Sequence, residues 1–179
     1  NNPGVIFSGT TSLNLNGIAH TNGGTLSASS VSVGPGATLT NNGTLTAGSS
    51  LTGTGTLTQG ATGILNVGGT VGIAALGAST AGNTVNYTGA GQAVKAVVYH
   101  HLALSGSGSP SLAGISTING SFTLAGTVTP AAATGMTIGG NVTIGLSISQ
   151  NGGDSYDDYR GEVVAYDAGH IFATAATVA

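Results

Sequence analysis

The acidic side chains that could do chemistry in this 179-residue sequence are concentrated near its C-terminus. Asp154, Asp157 and Asp158 lie close together, and Glu162 follows them. Grouped carboxylates could bind Ca²⁺, which prefers oxygen ligands, or could act in pairs as general acid and base. The spacing does not match an EF-hand loop, and no Asp or Glu precedes Asp154. We therefore interpret the cluster as a solvated, charged turn, and we predict no catalytic activity, no cofactor and no metal site.

Histidines are the second set of candidate metal ligands. His100 and His101 are adjacent, whereas His20 and His170 are isolated. Neighbouring side chains of a strand point to opposite faces, so the pair is not expected to chelate one metal ion. We predict that one imidazole is partly buried beside Tyr99 and that the other is exposed.

Four tripeptides match the N-glycosylation acceptor pattern, and they begin at Asn42, Asn86, Asn119 and Asn141. Several such matches are expected by chance in a sequence rich in Asn, Thr and Ser. These four residues are candidate glycan acceptors only in a host that has the glycosylation machinery.

The composition excludes several classes of function. Only 4% of the residues are charged, against about 25% in an ordinary soluble domain. Two cations and a net charge of −3 cannot neutralise a run of phosphates, so nucleic-acid binding is excluded. Without cysteine there is no disulfide scaffold, and without a long apolar run there is no transmembrane helix. Residues 1–153 carry one formal charge, Lys95, which we interpret as an exposed strand residue that discourages edge pairing.

A six-residue repeat predicts the elements that must position these side chains. Val33, Leu39, Leu45, Leu51 and Leu57 are evenly spaced, and each of the four leucines is followed by threonine. Glycine costs roughly 1 kcal/mol at a helical position, and the apolar spacing does not follow helical periodicity. The repeat therefore predicts very short strands, each with one inward apolar side chain, separated by tight turns at 41–43, 47–49 and 53–55.

Strands this short can bury their apolar side chains by coiling. Three strands with their turns would make one coil of about 18–22 residues, and successive coils would stack about 4.8 Å apart. Leucines would form an inner stack, threonines would face outward, and Gly and Asn would supply left-handed corners or side-chain ladders. We predict an all-β, single-domain β-solenoid over residues 1–153, with roughly seven or eight turns. A right-handed coil is favoured by analogy, although the repeat also permits a left-handed one.

The same pattern continues with looser spacing further along the chain. Strands are predicted at 64–67, 71–73, 84–87, 102–104, 122–124, 136–138 and 142–144. Turns are predicted at 106–108 and 139–141, and segment 92–104 favours strand over helix because it is rich in β-branched residues.

Paired threonines raise an ice-binding alternative. Thr38 and Thr40 lie 18 residues before Thr56 and Thr58, so they would stack in an 18-residue coil. No threonine occupies that register in the coil before or after them. Two rungs are too few for an ordered water-binding surface.

Three segments resemble a pattern common in bacterial cell-surface β-solenoid repeats: NTVNYTGAGQ (83–92), YHHLALSG (99–106) and GSFTL (120–124). Segment 36–58 resembles the Gly/Asn/Thr-rich turns of autotransporter passengers and filamentous-haemagglutinin-like adhesins. The resemblance covers most of residues 10–149 and implies a β-solenoid in a cell-surface context, without naming a ligand. The chain is far shorter than a giant adhesin and carries no sorting signal that we identify.

The C-terminal segment 154–179 combines the charged turn with β-prone, uncharged sequence. It could cap its own coil or add as a strand to a neighbouring subunit. An end-to-end contact that does not close produces a filament. The candidate junction residues are Val163, Ala165, Tyr166, Ile171, Phe172 and Val178 in this segment, with Val5, Ile6 and Phe7 at the other end.

The expected function is therefore structural. We expect a subunit of an extracellular filament or surface fibre that joins head to tail with copies of itself. The alternative is a ligand-binding fragment of a larger adhesin or autotransporter passenger, with host or surface glycans as partners. The start Asn1-Asn2-Pro3, without an initiator Met, is consistent with a processed, secreted form or a trimmed chain.

Overall fold

The computed structural model describes residues 12–130 and 135–145, and these residues form an all-β solenoid of about six turns without a helix. The strands are β1 Ser12–Leu15, β2 Ala19–Asn22, β3 Thr25–Val33, β4 Thr38–Asn41, β5 Thr44–Gln59, β6 Ile64–Val67, β7 Thr70–Gly77, β8 Thr84–Tyr87, β9 His101–Leu104, β10 Ser107–Gly108, β11 Thr117–Ile118, β12 Phe122–Leu124, β13 Thr127–Val128, β14 Thr137–Ile138 and β15 Val142–Ile144. Within these ranges no helix is long and apolar enough to cross a membrane.

All the strand pairs among the described residues are parallel. Eleven strands form one sheet that folds into three faces, whereas β10 with β13 and β11 with β14 form two separate two-stranded sheets. The β6 face runs from 25–28 through 44–47, β6, β8, β9 and β12 to β15. The β4 face contains β2, β4, 56–59 and 75–77. The β1 face contains β1, 30–33, 50–53 and 70–73.

The six-residue repeat places one leucine on each face in turn. Leu39 lies on the β4 face, Leu45 on the β6 face and Leu51 on the β1 face, and Leu57 returns to the β4 face as the register partner of Leu39. All four are buried. Three sides of six residues account for this 18-residue coil (57 − 39), which confirms the predicted architecture.

Coil length varies elsewhere along the solenoid. On the β6 face, Leu45 pairs with Leu65 after 20 residues (65 − 45), but Val85 pairs with Leu102 after 17 (102 − 85). The inner column on this face continues to Phe122 and is buried throughout. Each fully buried aliphatic side chain in such a column contributes roughly 1.5–3 kcal/mol.

Several predicted turns are strands in the structure. Segments 47–49 and 53–55 lie within the sixteen-residue β5, which bends around two corners. Its register is irregular between Ala47 and Ser50 in the pairing with β3, and between Gly53 and Thr56 in the pairing with β7. Segment 106–108 is mostly β10. The strand predicted over 92–104 is limited to β9, and residues before it form isolated bridges at Ala93 and Tyr99.

Asparagine does not supply left-handed corners among the described residues, where only glycines have positive φ. The prediction was wrong because a Cβ strains this conformation, so glycine takes it instead. Asparagines instead lie where their amides can bond between coils, as described below.

A glycine column forms one corner where successive coils touch through their backbones. A Cβ added to Gly68 would overlap Gly48 O, one added to Gly89 would overlap Gly68 O, and one added to Gly106 would overlap Gly89 O. Any other residue would force the coils apart at this corner. The glycine content therefore reflects close approach between coils as well as turn conformation.

Candidate functional site

Most residues predicted to form a site lie outside the described ranges. These are the carboxylates Asp154, Asp157 and Asp158 and the junction candidates Val163, Ala165, Tyr166, Ile171, Phe172, Val178, Val5, Ile6 and Phe7. Among the described residues, no group of three or more His, Asp or Glu side chains could hold a metal ion.

An apolar patch marks the last described coil. Val142 and Ile144 are the register partners of Phe122 and Leu124, so they continue the inner columns of the β6 face. Phe122 beneath them is buried, but Val142 is 41% and Ile144 58% exposed. Met136 and Ile138 on the same coil are only partly buried against the core. This patch, Met136, Ile138, Val142 and Ile144, is called the terminal face below.

The opposite end of the described solenoid also presents strand edges. Among the described strands, β1 pairs only with β3, and β2 pairs only with β4. Leu13 and Leu15 are partly buried against the core, and nearby Ile18 is 64% exposed. Both ends of the described solenoid therefore combine apolar inner side chains with backbone edges that pair with no other described strand, and such edges are templates for further strand pairing.

A ladder of buried amides lies inside the coil at the end of the β4 face. Asn22 Nδ2 donates to Asn41 Oδ1 at 2.7 Å and to Thr44 O at 3.0 Å. Asn41 Nδ2 donates to Gln59 Oε1 at 2.8 Å and to Ile64 O at 3.0 Å. Each of the two asparagine amides thus bonds both the next rung and the backbone of the next corner. The sequence signal is Asn, Asn or Gln directly after threonine at spacings of 19 (41 − 22) and 18 (59 − 41).

The ladder ends at Gln59 because the next coil supplies no amide in that register. Thr58 is the register partner of Gly77, so Ala78 follows at the position of the next rung. No described residue accepts a hydrogen bond from the buried Gln59 Nε2. The ladder therefore joins three coils only.

A second polar ladder runs along the outside of the β6 face. Asn66 Nδ2 contacts Thr46 Oγ1 at 3.4 Å, and Asn86 Nδ2 donates to Asn66 Oδ1 at 3.3 Å. Ser105 Oγ donates to Asn86 Oδ1 at 2.8 Å. The contacts therefore place uncharged carboxamide and hydroxyl groups on the outer surface, with one such group on each successive coil.

The threonine columns on the β4 face differ by one rung from the prediction. Thr38 pairs with Thr56 and Thr40 with Thr58, as expected for an 18-residue coil. The preceding coil is one residue longer, so Thr21 lies beside Thr40 and adds a third rung to that column. The column ends at Thr58, because the next coil places Gly77 beside it.

The two histidine rings contact each other instead of pointing to opposite faces. Their centroids are 4.1 Å apart and the rings are edge to face, because His100 precedes β9 and does not follow the strand alternation. His100 Nδ1 accepts from Gly82 N at 3.1 Å and His101 Nδ1 from Ser121 N at 2.9 Å. Both rings are half-buried. Each Nδ1 lone pair is engaged by the backbone, so neither nitrogen is available to a metal ion.

The His101 contact predicts a loss of stability in mildly acidic solution. Burial, with a smaller contribution from the charge of His100, lowers the pKa of His101 below its ordinary value of about 6.5. The neutral ring is therefore the folded form, and its contribution is present above pH 6.5 and lost as pH falls through the lowered pKa. We expect the urea midpoint to decrease over this interval. A His101→Gln variant should show a flatter profile, and identical profiles would contradict the assignment.

Lys95 is not the exposed strand residue predicted from the sequence. It lies in an irregular segment and is half-buried. Lys95 N donates to Tyr87 Oη at 3.0 Å, and Tyr99 Oη donates to Lys95 O at 2.6 Å. The two phenols are 3.0 Å apart, and burial raises the pKa of both. The main chain of Lys95 is therefore anchored to a closed hydrogen-bond network in the core.

The four sequons differ in the accessibility of their asparagines. Asn42, Asn119 and Asn141 are exposed at corners of the coil. The Asn86 side chain is half-buried in the outer ladder, where both of its polar atoms are bonded. A glycan on Asn86 would require that ladder to open.

No family model, curated protein or solved structure matches this chain. The stacked coils nevertheless show that the chain is a β-solenoid repeat protein.

Proposed function

We propose that this chain is a structural subunit of an extracellular filament or surface fibre whose copies stack head to tail. The observation that most supports this proposal is the terminal face, where Val142 and Ile144 continue buried inner columns but are 41% and 58% exposed. A further coil stacked on this face would bury them as Phe122 is buried one coil below.

The outer edges of the first and last described strands support the same arrangement, because no other described strand pairs with them. A coil from a second copy would add backbone bonds to β15 and would extend the inner columns at the same time. The terminal face would meet the β1 and β2 edges of the next copy, and these two surfaces differ. Such a heterologous contact does not close on itself, so it propagates into a filament.

The low charge favours close stacking. Lys95 is the single formal charge in residues 1–153, so copies would meet with little electrostatic repulsion. The segment 154–179 is part of the proposal as the joining strand, with Val163, Ala165 and Tyr166 among the residues that would pair with the neighbouring copy.

Paired aspartate substitutions test the terminal face. Val142 at the end and Ile64 on the side of the β6 face are almost equally exposed, at 41% and 42%. We expect Val142→Asp to abolish or shorten filaments in electron micrographs, because a charge would be buried at every junction. Ile64→Asp should leave filament length unchanged. Equal effects of the two variants, or a wild type that is monomeric at high concentration, would overturn the proposal.

Deleting residues 162–179 tests the joining strand separately. We expect the truncated protein to form fewer and shorter filaments while retaining the folded solenoid, checked by circular dichroism. Filaments of undiminished length would rule out strand exchange but would leave direct stacking of the terminal face in place.

The second candidate is a ligand-binding fragment of a larger adhesin or autotransporter passenger. It is favoured by the sequence resemblance and by the uncharged outer ladder of Thr46, Asn66, Asn86 and Ser105, which could bond to glycan hydroxyls. This alternative predicts a monodisperse monomer in light scattering at concentrations where the filament proposal requires assembly.

A further inference from the structure

Four Asn-Gly pairs lie within the described residues, beginning at Asn16, Asn22, Asn42 and Asn119. Glycine after asparagine permits the backbone nitrogen to approach the side-chain carboxamide, because no Cβ restricts its conformation. We infer that the fold leaves one of these four pairs reactive, and that Asn42 is the site where the described part of the folded protein deamidates.

The reaction requires water and no other co-reactant. Gly43 N gives up its proton to solvent and attacks Asn42 Cγ, and the new C–N bond closes a five-membered succinimide. The carboxamide nitrogen takes up a proton and leaves as ammonia. Water then adds to either imide carbonyl, and the ring opens to aspartate or isoaspartate without any change of oxidation state.

The geometry around Asn42 permits this ring closure. Asn42 is exposed in the two-residue connection between β4 and β5, and no described residue accepts a hydrogen bond from Gly43 N. The peptide that must rotate has one bond, from the exposed Thr62 Oγ1 to Asn42 O at 2.6 Å, which water can replace. Asn42 N and Gly43 O also form backbone hydrogen bonds, but neither atom belongs to the peptide unit that must rotate.

At the other two exposed Asn-Gly pairs, hydrogen bonds hold the peptide between the asparagine and the glycine. At Asn119 the attacking nitrogen itself is engaged, since Gly120 N donates to His100 O at 2.8 Å. At Asn16 both atoms of the peptide are bonded, to Pro35 O through Gly17 N and to Ile18 N through Asn16 O.

Asn22 is protected through its side chain. Its Nδ2 donates to Asn41 Oδ1 and Thr44 O, and its Oδ1 accepts from Gly24 N at 3.2 Å. Cyclisation would have to break the buried ladder described above. Neither Gly23 N nor Gly43 N donates to a described residue, so Asn22 and Asn42 differ in the contacts of the side-chain carboxamide, which is bonded and buried only at Asn22.

The glycine that makes Asn42 reactive is itself required for the packing of the coils. A Cβ on Gly43 would overlap Gly24 O in the preceding coil, so glycine is required here for stacking. Isoaspartate at position 42 would add one methylene to the main chain beside the buried Asn41. We expect the modified molecules to unfold at lower urea concentration than unmodified ones.

Residue-resolved mass spectrometry of the folded protein, incubated at mildly alkaline pH, tests this inference. A parallel incubation in denaturant is the matched control, because there every pair is an unstructured Asn-Gly. We expect Asn42 to convert first in the folded sample, and all four sites to react at similar rates in denaturant. Folding should slow Asn22 about a hundredfold, since two amide hydrogen bonds must open.

Isoaspartyl methylation of the incubated protein gives a second readout. The full sequence also contains Asn151-Gly152 outside the described residues, so the variants are made in an Asn151→Gln background. There Asn42→Gln should remove most of the methyl-accepting product, whereas Asn119→Gln should leave it unchanged. Earlier conversion of Asn16, Asn22 or Asn119 than of Asn42 in the folded protein would overturn the inference. So would a methyl-accepting product that persists in full when Asn42→Gln is combined with Asn151→Gln.

Discussion

Replacing Asn41 by leucine is expected to lower the free energy of unfolding by about 3–5 kcal/mol. The substitution leaves Gln59 Oε1 and Ile64 O without their donors, and Asn22 Nδ2 loses one of its two acceptors. All three rungs are buried, so water cannot take over these bonds without opening the coil. The effect is large because one amide joins three successive coils.

Asn66→Leu is the matched control for this experiment. Asn66 also belongs to an amide ladder, but its contacts lie on the outer surface at 3.3 and 3.4 Å, where water can replace them. We expect this variant to lose less than about 1 kcal/mol in equilibrium urea unfolding. Similar losses for the two variants would mean that the inner ladder contributes no more than a surface contact.

Gly68→Ala is expected to destabilise the protein by at least about 1–3 kcal/mol, the usual range for overpacking. The new Cβ would overlap Gly48 O, a backbone atom that cannot move without separating two coils. Relief at this corner would also strain the neighbouring contact between Gly89 and Gly68 O.

Gly72→Ala should stabilise the protein instead of destabilising it. Gly72 lies in β7, and its nearest neighbour to an added Cβ would be Thr52 Cγ2 at 3.6 Å, an ordinary contact. Alanine reduces the entropy of the unfolded chain, so a gain of up to about 1 kcal/mol is expected. Thermal unfolding of the two variants checks the pair. A Gly68→Ala variant as stable as Gly72→Ala would show that the coils are not in backbone contact at this corner.

The three-sided coil could be predicted because its signal is local and repeated. Leucine every six residues, from Leu39 to Leu57, specifies one inward side chain per side. Thr and Gly exclude helix over the same stretch. The strands at β6, β8, β12 and β15 were predicted at their observed bounds because each alternates inward and outward side chains over three or four residues.

The candidate site could be predicted only in part. Segment 154–179 was chosen because it combines a charged turn with an uncharged, β-prone tail, and both are compositional features of the sequence. The terminal face was missed, because Val142 and Ile144 have the same alternation as the buried strands below them. Only the stacking order identifies them as the last described rung.

The sequence by itself determined the kind of architecture: an uncharged, parallel, three-sided β-coil with leucine inside and threonine outside. Strand alternation and apolar burial act over a few residues, and they can be read from spacing alone. The tertiary structure decided the register, which sets coils of 17 or 20 residues on one face (102 − 85 and 65 − 45). That register brings Asn22, Asn41 and Gln59 into one ladder and makes Gly43 both necessary for packing and free to react. Contacts between residues that are one coil apart depend on the summed length of every side between them, so a one-residue change anywhere alters which side chains meet.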